Sequence, residues 1–307
     1  MRICSLLPSI KETLFALGMG DSVVAVTHEC DWPPEARTKT PVTCSRIRGE
    51  DCSSAEIDQQ VREHDGSLYN LDTEMLARLA PDLILTQSLC PVCAVSEATV
   101  RATAKELANS PVVFSFQPTC LADVRAMIAQ IGSLTGSTAA ARRLCGRFEH
   151  EIEQIRSAVR NASHPPVVCL EWTNPPFACG HWTPELVEIA GGHEVLGSSG
   201  QPSRRATWQE LLDADPQILL IAPCGFSLDR TLKEMPWLES QPGWGSIRAV
   251  VQGSVFATDG SAYFNRPGPR LIESLQILAE VIHPKRFGGL APHGSFQQTV
   301  IGATPAA

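Results

Sequence analysis

Eleven cysteines and eight histidines are the residues of this 307-residue chain with the widest chemical reach. Cys90 and Cys93 form a Cys-Pro-Val-Cys run just ahead of a helical pattern. A helix N-terminus lowers a thiol's pKa and favours the thiolate. One reading is a redox dithiol. A second is a soft-metal site, with Cys90 and Cys93 joined by Cys30, Cys224 or His28, a donor set that suits zinc or copper(I), or the metal centre of a bound complex. A third is that such thiols are small core residues, which is the expectation for Cys4, Cys145 and Cys169. Cys44 and Cys52 fall in a loop without an assignment. In another constellation, Asp259, Tyr263, Phe264, Arg266 and Arg270 crowd one loop. An arginine there can fork onto carboxylate, amide or phosphate oxygens, although Arg270 could equally serve a salt bridge within the loop. Trp172, Phe177, His181 and Trp182 lie in a Gly/Pro-rich stretch, where a flat apolar platform for a planar ligand is expected. Glu171 and His181 could act as an acid/base pair, but no nucleophile is placed beside them. The chain carries no P-loop, GxGxxG, HExxH or GxSxG pattern.

These residues fall after strand-like runs. Short β-branched segments alternate with helical patterns, which predicts an α/β fold with parallel sheets. Strands are expected at 2–7, 23–26, 82–86, 112–116, 167–170, 218–221, 249–251 and 255–258. Helices are expected at 10–17, with Ser9 as N-cap and Glu12 closing a capping box, and at 73–79, 94–107, 121–134, 185–190, 208–214 and 270–282. Ligands of open α/β sheets bind beyond the carboxyl ends of the strands. Thr27-His28-Glu29-Cys30 follows one such end, Cys90 another, Glu171-Trp172 a third and Cys224 a fourth. Residues 137–162 form a long amphipathic stretch without proline, with Leu144, Phe148, Ile152, Ile155 and Val159 spaced by three or four. It reads as one helix joining an N-terminal lobe (1–136) to a C-terminal lobe (164–286), followed by a loose tail (287–307). The phrase LARLAPDLILTQ at 76–87 returns as LLDADPQILLIAP at 211–223, a weak internal duplication. Two such lobes would face each other across a ligand cleft.

A net charge of −8 speaks against a nucleic-acid partner, and no run is long and apolar enough to cross a bilayer. The first residues carry no secretory leader, which predicts a cytoplasmic protein with free thiols, or a periplasmic one if the start is truncated.

The segments SLLPSIKETLFALGMGDSVVAVTHECDWPPEA (5–36), LAPDLILTQSLC (79–90) and YFNRPGPRLIESLQILAEVIHP (263–284) resemble the cobalamin and iron-complex substrate-binding proteins of ABC importers. THECD, LCPVCAVS, LEW…GHW and APCGF look like the cysteine-containing subgroup labelled cobalamin-binding protein. The resemblance implies two Rossmann-like lobes on one connecting helix and non-enzymatic capture of a corrinoid or related metal complex. It carries ligand contacts onto Glu29, Phe177, Tyr263, Phe264 and Arg266. It also implies an ABC permease that docks on one surface glutamate per lobe, here Glu74, while the second position holds Gln209 beside Glu210. The alternatives are a cytoplasmic thiolate metal-binding protein and a thiol-dependent enzyme acting on a tetrapyrrole.

Overall fold

Five short strands rich in valine, isoleucine and leucine build the first sheet. The computed structural model describes residues 1–47, 49, 52–64, 68–88 and 95–299. Strands β1 (Ile3–Ser5), β2 (Val23–Val26) and β3 (Thr40–Pro41) are followed by a small antiparallel ribbon of β4 (Thr43–Ser45) and β5 (Tyr69–Leu71), then by β6 (Leu83–Gln87) and β7 (Val112–Phe116). The sheet order is β3-β2-β1-β6-β7, with every pairing parallel. Parallel neighbours need crossovers, which are largely helical here, and covering both faces explains why β1 and β6 are buried throughout.

The second sheet contains β8 (Pro166–Trp172), β9 (Phe177–Ala178), β10 (His193–Glu194), β11 (Arg204–Arg205), β12 (Ile218–Ile221), β13 (Val255–Thr258) and β14 (Phe296–Gln298). Its order is β11-β9-β8-β12-β13-β14, with β10 also paired to β8. The pairings β10–β8, β8–β12 and β12–β13 are parallel, whereas β9, β11 and β14 join antiparallel. Val168, Leu170, Leu219, Ile221 and Val255 pack into one core on one face of this sheet.

The chain divides into two compact units, one of Met1–Phe148 with Pro267–Pro269, the other of Glu149–Arg266 with the residues from Arg270 onward. The dividing point lies inside the helix Thr138–Val159, which runs from one unit into the other. Of the apolar series read from the sequence, Leu144, Phe148, Ile155 and Val159 are buried.

The duplicated phrase is realised as a duplicated structure. Helices Thr73–Leu79 and Trp208–Ala214 are N-capped by the side chains of Asp72 and Thr207. Each ends on a non-glycine residue in the left-handed region, Ala80 and Asp215, both at φ +39°. A proline and a buried strand follow in both cases.

Four expectations differ from the structure. The first helix starts one residue earlier than Ser9, with Pro8 at N1 and Leu7 as a cap that makes no side-chain bond. A proline costs no hydrogen bond at that position, since the N–H it lacks would have had no intrahelical partner. Ser9, Lys11 and Glu12 are instead buried, with Lys11 Nζ 4.0 Å from Glu12 Oε1. Residues 249–251 belong to a helical turn, Arg248–Val251, rather than a strand. The helix expected over 94–107 spans Glu97–Glu106, N-capped by Ser96. The segment read as a loose tail supplies β14, which pairs with β13 through Phe256↔Gln298 and Thr258↔Phe296.

Candidate binding site at the carboxyl ends of the strands

In the first unit the residues after β2 fold back on themselves. Cys30 N–H donates to the Thr27 carbonyl at 3.1 Å, and the Cys30 thiol lies 3.3 Å from Thr27 Oγ1. This turns Cys30 inward, leaving it 6% exposed. Burial, with the Cys30 thiol adding to it, pushes the Cys4 thiol far above the ordinary range. His28 faces outward, but both ring nitrogens have protein neighbours: Nδ1 lies 2.8 Å from Thr43 Oγ1 and Nε2 lies 3.3 Å from Glu29 Oε1. Its ring packs 5.3 Å from Tyr69. Glu29 is exposed beside it. After β6, Ser88 Oγ is bonded to Ser115 and Gln117. Cys90 and Cys93 lie outside the described residues.

In the second unit three loops are knitted together at the carboxyl end of the sheet. Beyond β12, Ala222 N–H and Cys224 N–H donate to the carbonyls of Leu170 and Glu171 on β8. Beyond β13, Ser261 N–H donates to the Phe226 carbonyl and Asn265 Nδ2 to the Ala222 carbonyl. Gly260 is required there, because a Cβ would sit 2.3 Å from the Pro223 carbonyl oxygen. Asp259 caps the following turn, Gly260–Phe264, by accepting from Ala262 N–H at 2.6 Å.

On this scaffold the Trp172 ring packs 5.0 Å from Phe226, whose other neighbour is the Arg230 guanidinium at 4.2 Å. Arg230 in turn pairs with the buried Glu234, which accepts from Thr173 Oγ1. Phe177 is half-buried with Arg205 5.6 Å from its ring centre. Tyr263 is half-buried under Arg270, 4.6 Å away, and burial raises its phenol pKa. Arg270 also pairs with Glu273 at 3.0 Å, so the loop salt bridge and the ring contact coexist. Arg266 is buried and donates to Ser261 Oγ at 3.1 Å. Cys224 is exposed.

Trp182 and Phe264 are placed differently from a ligand-facing platform. Both are buried, and Trp182 Nε1 donates to the Phe264 carbonyl at 2.9 Å, fastening the loop after β9 to the loop after β13. Of the aromatics in the loops after β8, β9 and β13, those left half-buried are Trp172, Phe177, His181 and Tyr263. His181 adopts φ +52° and burial lowers its pKa.

A polar system that the sequence did not disclose lies on the opposite face of β8. This strand's outer edge pairs with β10 near Pro166 and Val167, then with β9 from Leu170. Between the two, Cys169 N–H has no strand to meet. The buried Glu194 carboxylate fills the gap: Oε2 accepts from Cys169 N–H at 3.0 Å and from the Cys179 thiol at 3.3 Å, and Oε1 accepts from Leu196 and Gly197 N–H at 3.0 and 2.9 Å. Burial raises the Glu194 pKa against the pull of these donors. Farther along the same face, burial pushes the Glu171 carboxyl up to about 7, although Ser203, Gly180 N–H and Thr183 all donate to it. Its bonds run to these groups rather than to His181. The alternation of a strand puts Cys169 and Glu171 on one face, but Glu194 arrives at the end of the two-residue strand β10 and Ser203 from a distant loop, with no pattern of their own.

Among the described residues, the one group of three metal-type donors within 4.8 Å of one another is Cys169, Cys179 and Glu194. Neither Cys30 nor Cys224 belongs to it, because Cys30 is turned into its own unit's interior and Cys224 lies in an exposed turn.

Two α/β units, each with loops gathered at the carboxyl ends of its strands and sharing one long helix, define the class of two-lobed, helical-backbone binding proteins. Residues 3–262 match the periplasmic binding protein family, and the chain belongs to it. It is 26% identical over 281 residues to a vitamin B12-binding protein of Pectobacterium carotovorum subsp. carotovorum (strain PC1), spanning 90% of this chain and 86% of that protein. It is 24% identical over 291 residues to the uncharacterized ABC transporter substrate-binding lipoprotein YvrC of Bacillus subtilis (strain 168), spanning 93% and 81%. Among solved structures, the periplasmic heme-binding protein RhuT from Roseiflexus sp. RS-1 superposes with a TM-score of 0.70 at 23% identity, covering 92% of this chain and 98% of that one. These comparisons overturn the cytoplasmic placement: the family is one of periplasmic binding proteins, and its members here are a periplasmic protein and a lipoprotein of an ABC transporter.

Proposed function

We propose that the protein is the ligand-capturing component of an ABC importer and that its ligand is a corrinoid. The observation that carries this reading is the similarity to a vitamin B12-binding protein along nine-tenths of the chain. The site chemistry supports it. Trp172, Phe177, His181 and Tyr263 offer half-buried ring faces to a flat, largely apolar macrocycle. Arg270, packed on the Tyr263 ring, and Arg266 in the same loop would meet amide or phosphate oxygens at its rim. In this reading the metal arrives inside the ligand, and no resident zinc is called on.

Titration of the purified protein with cyanocobalamin, followed by corrinoid absorbance and tryptophan fluorescence, tests the assignment. Saturable binding at micromolar or lower ligand is expected. Trp172→Ala should weaken it by about tenfold, corresponding to about 1.4 kcal/mol. Heme is the second reading, favoured by the fold shared with RhuT. Saturation by hemin with no response to cyanocobalamin would replace the first reading with it.

Glu74 is the proposed permease contact of the first unit. It stands exposed in the first turn of the helix Thr73–Leu79. In the second unit Gln209 takes the equivalent place, bonded to Asp213 at 2.7 Å. The adjacent Glu210 is committed to its capping box with Thr207 and to Arg204. The second contact is therefore uncharged. Glu74→Arg should abolish uptake in cells while leaving corrinoid binding by the purified protein unchanged.

A further inference from the structure

Cys169 and Cys179 face each other across the β8–β9 hairpin. The register pairs Leu170 with Ala178, so the next step back pairs Cys169 with Cys179, and Cys179 N–H donates to the Cys169 carbonyl at 3.1 Å. The pair makes one of the two bonds of a hydrogen-bonded antiparallel pair, the other N–H going to Glu194; such partners have Cα atoms about 5.5 Å apart, within the range of roughly 4.4–6.8 Å that a disulfide spans. Both side chains are buried, at 0% and 1% exposure, and both sulfurs lie within 4.8 Å of each other and of the Glu194 carboxylate.

We propose that Cys169 and Cys179 are a disulfide-forming pair that locks the hairpin carrying Trp172 and Phe177. The bond forms as the chain folds, by exchange with a disulfide oxidant such as oxidised glutathione. Before the hairpin is buried, the Cys179 thiolate, its proton given to solvent, attacks the oxidant and releases one thiolate, which takes up a proton. Cys169 then attacks Cys179 Sγ of the mixed disulfide and releases the second. One S–S bond is broken and one formed, two electrons pass to the oxidant, and the two cysteine protons end on the released thiols.

The surroundings favour this outcome over a metal centre. The hydrogen bond from Cys179 eases ionisation of Cys169, but burial and the nearby carboxylates leave both thiols harder to ionise than usual. A metal would need both as thiolates beside a third anion, whereas a disulfide is neutral. Glu194 loses only the thiol on oxidation and keeps the N–H donors of Cys169, Leu196 and Gly197. Gly197 lets the Glu194 loop pack directly on Cys179, since a Cβ there would stand 2.7 Å from Cys179 Sγ. The pair needs an oxidising compartment, which the importer reading supplies. The test below is made on the refolded chain, so its outcome is independent of any corrinoid titration.

The full chain, reduced and unfolded, is refolded in mixed oxidised and reduced glutathione. Free thiols are then blocked with N-ethylmaleimide under denaturing conditions, and the protein is cut with trypsin. Cleavage after Arg160 and Arg204 gives a peptide whose only cysteines are Cys169 and Cys179. The expected peptide carries no maleimide and is lighter than its reduced form by two hydrogens. Further cleavage after Glu171 leaves the two halves joined until reductant is added. Cys169→Ala and Cys179→Ala should each leave one maleimide on the peptide. Two maleimides on the wild-type peptide would overturn the proposal. So would a stoichiometric zinc ion held by the reduced, folded protein in native mass spectrometry and lost in Glu194→Gln.

Discussion

Replacing Glu171 by glutamine should make the protein more stable, by an amount that grows from about pH 5 and levels off above about pH 7. Burial raises the folded-state pKa of this carboxyl from the ordinary 4.5 to about 7. Between those values the folded state holds the proton more tightly than the unfolded state, so stability falls as pH rises through that window. The burial cost is absent below about pH 4.5 and fully expressed above about pH 7. At about 1.36 kcal/mol per pH unit the full cost is a little over 3 kcal/mol, and solvent reaching this half-buried residue trims it to about 1–3 kcal/mol. Glutamine keeps a carbonyl oxygen for the Ser203 hydroxyl and carries no charge at any pH. Urea unfolding followed by circular dichroism at pH 5, 6, 7 and 8 measures the difference. The variant should match the wild type within about 0.5 kcal/mol at pH 5 and exceed it by about 1–3 kcal/mol at pH 8. Glu194, also raised by burial, contributes a slope of the same sign to both proteins, and its charge is a minor part of what raises Glu171. A variant that is less stable at pH 8, or shifted equally at every pH, would refute the reasoning.

Two further substitutions probe the loops around β8. Glu194→Leu leaves the N–H groups of Cys169, Leu196 and Gly197 without their acceptor, and a loss of about 3 kcal/mol or more is expected in the same unfolding assay. Trp182→Phe removes the 2.9 Å bond to the Phe264 carbonyl in a buried setting, which should cost about 1–3 kcal/mol and increase proteolysis within residues 259–266.

The framework was legible because it depends on local rules. Val23–Val26, Val112–Phe116 and Ile218–Ile221 are short β-branched or leucine-rich runs bounded by turn residues, and their strands fall on the expected residues. The long helix announced itself by the spacing from Leu144 to Val159, and the repeat at 76–87 and 211–223 by its helix, proline and strand grammar. Misreadings arose where a local signal met a tertiary one. Ser9 has the chemistry of a cap, but Pro8 is better suited to open the helix. Residues 249–251 have strand composition, yet Asp215 accepts from Arg248 N–H and fixes a helical turn there. The sequence placed Trp172, Phe177, Tyr263 and Arg266 at or after strand ends, and the structure has Trp172 closing β8, Phe177 on β9 and the other two beyond β13. The sequence could not tell which aromatics face outward, because the burial of Trp182 and Phe264 follows from a bond between loops 82 residues apart. The Glu194 system was invisible for the same reason.

The change of partner along β8 also bears on how such a protein diversifies. Because one carboxylate closes the gap in the sheet, residues 198–203 are relieved of completing the strand edge. Side-chain substitutions there leave the bonding of β8 intact as long as Glu194 keeps its three backbone donors and Ser203 its bond to Glu171. The exposed side chains of this loop can therefore vary while the strand that carries Trp172 keeps its register.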